Sequence, residues 1–187
     1  LNLLLIILLL PTCFQAQMTM VFDNDLLAYN RGLELYEKQK YGAAKDQFEL
    51  AVQTVGNQNS EISANAHFYV AECALELFHK DAEFLLKEFI RNYSSSPRVD
   101  DAWFLLGNYN YRKKKWEEAI EYYDELQVLN MSEPRKSEYL FKKAYTYFQL
   151  NSLDEAAGLF YQMDHHSSPY FAPGTYYLGH INYEQGQ

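Results

Sequence analysis

The chain has 187 residues, enough for one domain or one repeat array, and it carries a net charge of −9. So acidic a surface repels phosphate backbones and anionic headgroups, which argues against nucleic acid as a partner. Aromatic residues make up 17% of the chain, with 17 tyrosines, and no GxGxxG or GxxxxGK[ST] phosphate loop is present, so no cofactor is expected.

The first segment, "LNLLLIILLLPTCFQAQ", opens with an uncharged apolar run from Leu1 to Leu10, followed by Pro11. A spanning helix needs roughly 20 apolar residues. The run is about half that length and fits the h-region of a secretory signal. Residues 1–16 therefore read as a signal peptide cleaved after Ala16, although Phe14 matches A-x-A poorly and the basic n-region is missing. Two alternatives stay open: an uncleaved anchor, or lipidation of Cys13, since "LPTC" resembles a lipoprotein box. Either would tie the chain to a membrane.

From residue 17 onward the sequence repeats itself. The first unit spans 24–56. It opens on "DNDLLAYNRGLELYEKQ", whose Asp and Asn can cap a helix, and a break at "KQKYG" leads to a second helix through Ala44 and Phe48. The second unit, 61–93, is a weaker copy with Ala71, Ala82 and Leu86. It holds Cys73 in "HFYVAECALELF", where a thiol acts as a small buried apolar group. The third, 98–130, has Gly107, Ala119 and Tyr123, and its second helix opens with glutamates that complement the helix dipole. The fourth, 136–165, has Ala144, Ala156 and Phe160 around an "LNSL" break. A final first helix, 170–187, is centred on Gly179. The small residues recur at intervals of roughly 35–39 residues, the scale of a helical repeat. "SSSP" (94–97) and "SSP" (167–169) punctuate the units, because the residue before proline is biased away from helix.

Trp103, Leu106 and Gly107 reproduce a W-x2-L-G signature, with Tyr111 one place beyond the usual tyrosine, and Ala119-x3-Tyr123 reproduces A-x3-F. On these residues the chain, over roughly 24–187, resembles the tetratricopeptide repeat (TPR) family. The usual proline at the end of the unit is replaced by Gly56 and Met131. The resemblance implies an all-α fold, an α-solenoid of antiparallel helix pairs wound as a right-handed superhelix. The residues support stacked helix pairs independently, since one amphipathic pair buries its apolar face only by stacking on neighbours. Glycine inside a helix costs about 1 kcal/mol against alanine. Gly107 is expected to offset that by close approach to Ala119, as Gly32 does to Ala44 and Ala144 to Ala156.

Candidates for chemistry reduce to solvated or packed side chains. His165 and His166 sit in a loop, and His67, His79 and His180 are isolated. Glu117, Glu118, Glu121, Asp124 and Glu125 fall at the spacing of a helix's wet face, and Lys113, Lys114 and Lys115 in a turn. No catalytic residue and no metal site is expected. Asn92 and Asn130 head glycosylation sequons, relevant only in a eukaryotic secretory pathway.

One pattern exceeds this. Three before each small residue stand Tyr29, Phe68, Phe104, Phe141 and Tyr176. Four after stand Tyr36, Leu75, Tyr111, Phe148 and Tyr183. The two rows share a helix face. They read either as packing between helices or as a partly exposed aromatic groove for a protein or peptide, with Tyr145 and His180 adding polar contacts. The TPR resemblance places that face on the concave side.

The expected function is a non-catalytic scaffold binding a protein or peptide. "KEFIRNYSSSP" and "DDAWFLLGNYNYRKKKWEEAIEYY" are similar to TPR proteins of the bacterial envelope. That similarity implies export to the periplasm or the outer-membrane periphery of a Gram-negative cell. The alternatives are a docking arm of a larger envelope enzyme or regulator, and a membrane-anchored module of outer-membrane assembly type.

Overall fold

The computed structural model describes residues 26–55, 61–164 and 166–186. The apolar opening run, Cys13, the capping residues before Leu26, Gly56, His165 and Gln187 lie outside the described residues. Among the described residues every regular element is a helix. These are α1 over 26–37, α2 Tyr41–Thr54, α3 Glu61–Glu76, α4 Ala82–Asn92, α5 Val99–Arg112, α6 Trp116–Asp124, α7 Glu133–Gln149, α8 Leu153–Tyr161 and α9 Phe171–Glu184. A 3-10 turn, Val128–Asn130, precedes α7. The architecture is an all-α solenoid of helix pairs. The chain divides after Arg98 into two compact units, with α1–α4 in the first and α5–α9 in the second.

The helices start differently from expectation. Asp100 and Asp101 fall inside the first turn of α5, where their charge meets the positive end of the helix dipole. Lys40, Lys115 and Ser152, which precede α2, α6 and α8, make no side-chain cap.

The helix ends carry the regularity. The first helix of each pair stops at a residue in the left-handed region: Gln39 at φ 55°, Phe78 at 57°, Lys114 at 58° and Asn151 at 60°. Each is the seventh residue after the small one. Their amides donate to Tyr36, Leu75, Tyr111 and Phe148 carbonyls, at 2.8–3.1 Å. The next amides, of Lys40, His79, Lys115 and Ser152, reach back to Leu35, Ala74, Asn110 and Tyr147, at 2.8–3.0 Å. This is the Schellman arrangement, which satisfies carbonyls that the helix leaves open. α9 ends the same way, with Gly186 at φ 70° and its amide on the Tyr183 carbonyl.

The joint at the small residues also differs from the expected glycine–alanine contact. A Cβ on Gly32 would lie 2.6 Å from the Phe48 ring, and one on Gly107 would collide with the Tyr123 ring. The glycine therefore makes room for the aromatic four residues beyond the alanine. Phe48, Tyr123, Ala44, Ala119, Ala144 and Ala156 are all fully buried. In the second unit this core joins Phe104, Ala119 and Tyr123 to Tyr139, Leu140, Phe160 and Ile181, with Trp103 half-buried against it. In the first, Cys73 packs with Ala44, Phe48 and Val70. Burial, and then the neighbouring Glu72 carboxylate, pushes the Cys73 thiol up to about 12, so it stays protonated and inert.

Candidate functional site

The positions singled out by the repeat differ in burial. Phe68 and Phe104 are core residues, with 2% and 6% of their surface accessible. Each is roofed by an arginine from the start of the following first helix. The Arg98 guanidinium lies 4.9 Å from the Phe68 centroid and 4.8 Å from that of Tyr69, and Arg135 lies 4.4 Å from Phe104. Arg98 donates to Asn65 Oδ1 and to the Tyr69 hydroxyl, both at 2.9 Å, and Arg135 pairs with Asp101. Counted from their small residues these arginines hold the same place, and in the next copy that place belongs to Tyr170. Its ring lies 5.4 Å from Phe141. Phe68 and Phe104 therefore follow the packing reading of the row, each lying beneath an arginine.

In the first unit, Tyr29 and Tyr36 are half-buried and pack on Tyr69, at 6.3 and 5.1 Å between centroids. Tyr69 stacks on Phe48 at 4.8 Å. Tyr36 also meets Tyr41, the first residue of α2, edge to face at 5.5 Å. Burial, followed by a hydrogen bond and charge from Glu72, raises the Tyr36 phenol.

The second unit carries the larger cluster. Tyr111, Phe141, Tyr145 and Phe148 are each half-buried, on α5 and α7. Two rings that the repeat count left out join them: Trp116, the first residue of α6, and Tyr177 on α9. Tyr111 meets Trp116 at 5.7 Å and Tyr145 at 5.8 Å. Tyr145 meets Tyr177 at 5.1 Å, Tyr177 meets Phe148 at 5.2 Å, and Phe148 meets His180 at 5.8 Å. The result is one run of rings from α6 to α9. Burial, then the neighbouring Tyr145, Tyr177 and Tyr170 hydroxyls, push the Tyr111 phenol up to about 12. Burial and a hydrogen bond with Tyr145 raise Tyr177. The Tyr111 and Tyr177 hydroxyls stay protonated near neutral pH, able both to donate and to accept.

A polar strut lies beside the rings. The Tyr123 hydroxyl donates to Asn108 Oδ1 at 2.9 Å, and Lys142 Nζ donates to the same oxygen at 3.1 Å. Asn108 Nδ2 and Lys142 both donate to Glu138. The Lys142 ammonium lies 5.7 Å from the Tyr111 centroid. Tyr176 and Tyr183, on α9, are exposed, with 70% and 84% of their surface accessible, and Tyr176 meets Tyr177 at 5.3 Å. His180 pairs with Glu184 at 3.2 Å.

Trp116 and Tyr177 had signals in the sequence. Tyr41 and Trp116 both stand nine after their small residue, and Tyr69 and Tyr177 both stand two before. The other candidates are dispersed. His166 packs on Phe171 at 4.3 Å, and Glu117, Glu121, Asp124 and Glu125 are exposed. Among the described residues no three His, Cys, Asp or Glu side chains gather as metal ligands, and no helix is long and apolar enough to cross a membrane.

Residues 78–134, which include Trp103, Gly107, Ala119 and Tyr123, match the tetratricopeptide repeat family. With the helix pairs, that match supports a TPR protein, a class that generally mediates protein–protein interaction. No curated protein matches this chain.

Proposed function

We propose that the protein is a non-catalytic scaffold that holds a protein or peptide on the first-helix face of its second unit. The observation that carries this is the run of half-buried rings Tyr111, Tyr145, Tyr177 and Phe148, connected in series and bordered by hydroxyls. Large aromatic side chains with a polar tip supply contact area at low entropic cost and tolerate a wet surface. Tyr29 and Tyr36 offer a smaller patch of the same kind in the first unit. Phe68 in the first unit and Phe104 in the second are buried core residues and take no part in the contact surface. An exported setting, periplasmic or at the outer-membrane periphery, belongs to the same reading, motivated by the apolar run Leu1–Leu10.

The test selects peptides from a random display library on the full chain and then measures their affinity for Tyr145→Ala and Tyr177→Ala. The expected result is a loss of at least about tenfold for each, the range of an interface hot spot, with the circular-dichroism melt retained. Selected peptides that bind both variants as tightly as the parent would overturn the proposal.

A further inference from the structure

The turns that join the two helices of each pair share one backbone geometry and differ in charge. Counted from the small residue, the same four places read "EKQK" (37–40), "ELFH" (76–79), "RKKK" (112–115) and "QLNS" (149–152). The third residue of each, Gln39, Phe78, Lys114 or Asn151, takes the left-handed conformation. Cations near a helix C-terminus complement its dipole, but α7 ends in the same turn with no basic residue in its last turn. The geometry therefore does not require the run of cations that ends α5. All four, Arg112 to Lys115, are exposed. Lys113 rests on the neutral Tyr109 ring, 4.0 Å from its centroid, and keeps its charge. Lys115 meets Glu118 at 3.7 Å, with both side chains close to half accessible, a pairing that offsets little.

The basic turn stands where the run of rings begins. Tyr111 precedes it and Trp116 follows it, and their centroids are 5.7 Å apart. Lys142 also lies 5.7 Å from the Tyr111 centroid, but Glu138 answers its charge. The net charge of −9 repels anions from the molecule as a whole. Exposed charges are screened beyond about 8 Å at physiological salt, so at contact the turn decides. Four residues span at most about 14 Å, and the exposed Glu117, Glu121 and Asp124 follow along α6. That extent suits a few carboxylates on a peptide and disfavours a long polyanion. We infer that the turn Arg112–Lys115 receives an acidic segment of the bound protein or peptide, with its Asp or Glu side chains next to the residues that meet the rings. This rests on the proposed peptide-binding role of the second unit and adds the charge of the partner.

The isotopically labelled full chain, with its backbone amides assigned, is titrated with acetyl-Asp-Glu-Phe-Asp-Glu-amide and with the uncharged acetyl-Asn-Gln-Phe-Asn-Gln-amide. The acidic peptide should shift the amides of Lys113, Lys114 and Lys115 saturably and bind about tenfold more tightly than the uncharged one. Added salt should weaken it. Lys113→Gln/Lys114→Gln/Lys115→Gln should abolish the preference, whereas Lys38→Gln/Lys40→Gln, in the matching turn of the first unit, should keep it. Gln39 already holds the place of Lys114 in that turn, so glutamine suits the backbone there, and circular-dichroism melts check that both variants fold. Equal affinity for the two peptides would overturn the inference. So would a preference that survives the triple variant, or one that falls as far in the first-unit variant. An oligodeoxythymidylate or a phosphatidylserine vesicle that binds through the same three lysines more tightly than the acidic peptide would assign the turn to a polyanion and equally overturn it. Library peptides that need Tyr145 and Tyr177 but bind the triple variant as tightly as the parent would leave the peptide-binding role standing and remove this one.

Discussion

At Gly107 an added Cβ would strike the Tyr123 ring, whereas at Gly179 it would meet nothing within 4 Å. The two glycines hold the same place in the repeat and lie inside helices of equal length, α5 and α9. The difference is the covering helix. Tyr123 comes from α6 and fills the space that the missing side chain leaves, while the face of α9 around Gly179 is open, with Tyr176 and Tyr183 exposed beside it. A glycine motif therefore marks a joint only where a ring arrives to occupy it. Gly32, under Phe48, shows the joint again in the first unit with a phenyl in place of a phenol. The ring supplies the packing, and the Tyr123 hydroxyl adds a link to Asn108 and Lys142.

The largest expected effect separates the rings themselves. Tyr123→Ala should cost about 3–5 kcal/mol in urea melts, the range for a buried aromatic. Tyr183→Ala, with 84% of its surface accessible, should change stability by less than about 0.5 kcal/mol. Comparable losses would mean that the covered and open faces are not distinct.

The glycines should respond with opposite signs. Gly107→Ala is expected to destabilise by about 1–3 kcal/mol, because the ring or the backbone must give way. Gly179→Ala should stabilise by about 0.5–1 kcal/mol, since alanine is the better helix former and the site has room. Thermal melts of the two variants decide it, and a loss at both positions would remove the contrast.

A gain of about 1 kcal/mol is expected for Phe78→Gly. Phe78 sits at φ 57° with 82% of its surface accessible, so glycine relieves left-handed backbone strain at an exposed site. Gly186→Ala, at φ 70°, should move the other way by a similar amount. Chemical denaturation of both checks the shared turn geometry.

The smallest effect belongs to Asn110. It is fully buried, its Nδ2 donates to the Leu106 carbonyl at 3.0 Å, and its Oδ1 has no hydrogen-bond partner among the described residues. Asn110→Leu should be neutral or stabilising by less than about 1 kcal/mol, because the substitution removes an unsatisfied polar atom. A loss above about 2 kcal/mol, measured in the same urea series, would show that this amide is needed for the turn it borders.

The sequence by itself determined the helix pairs and the rank of the small residues. Amphipathic spacing and recurring small positions are local facts that any stacked helix pair must display. It also marked Cys73 as an apolar filler and the α6 acids as a wet face. Tertiary structure alone decided which partner each position meets. The same offset gives a ring buried beneath a guanidinium at Phe104, one half-buried beside Tyr170 at Phe141, and one exposed at Tyr176. What covers a position is supplied by residues from other helices, so spacing along one helix carries no record of it. Trp116 and Tyr177 enter the candidate site for the same reason: their rings reach it from α6 and α9, a convergence that only packing brings about.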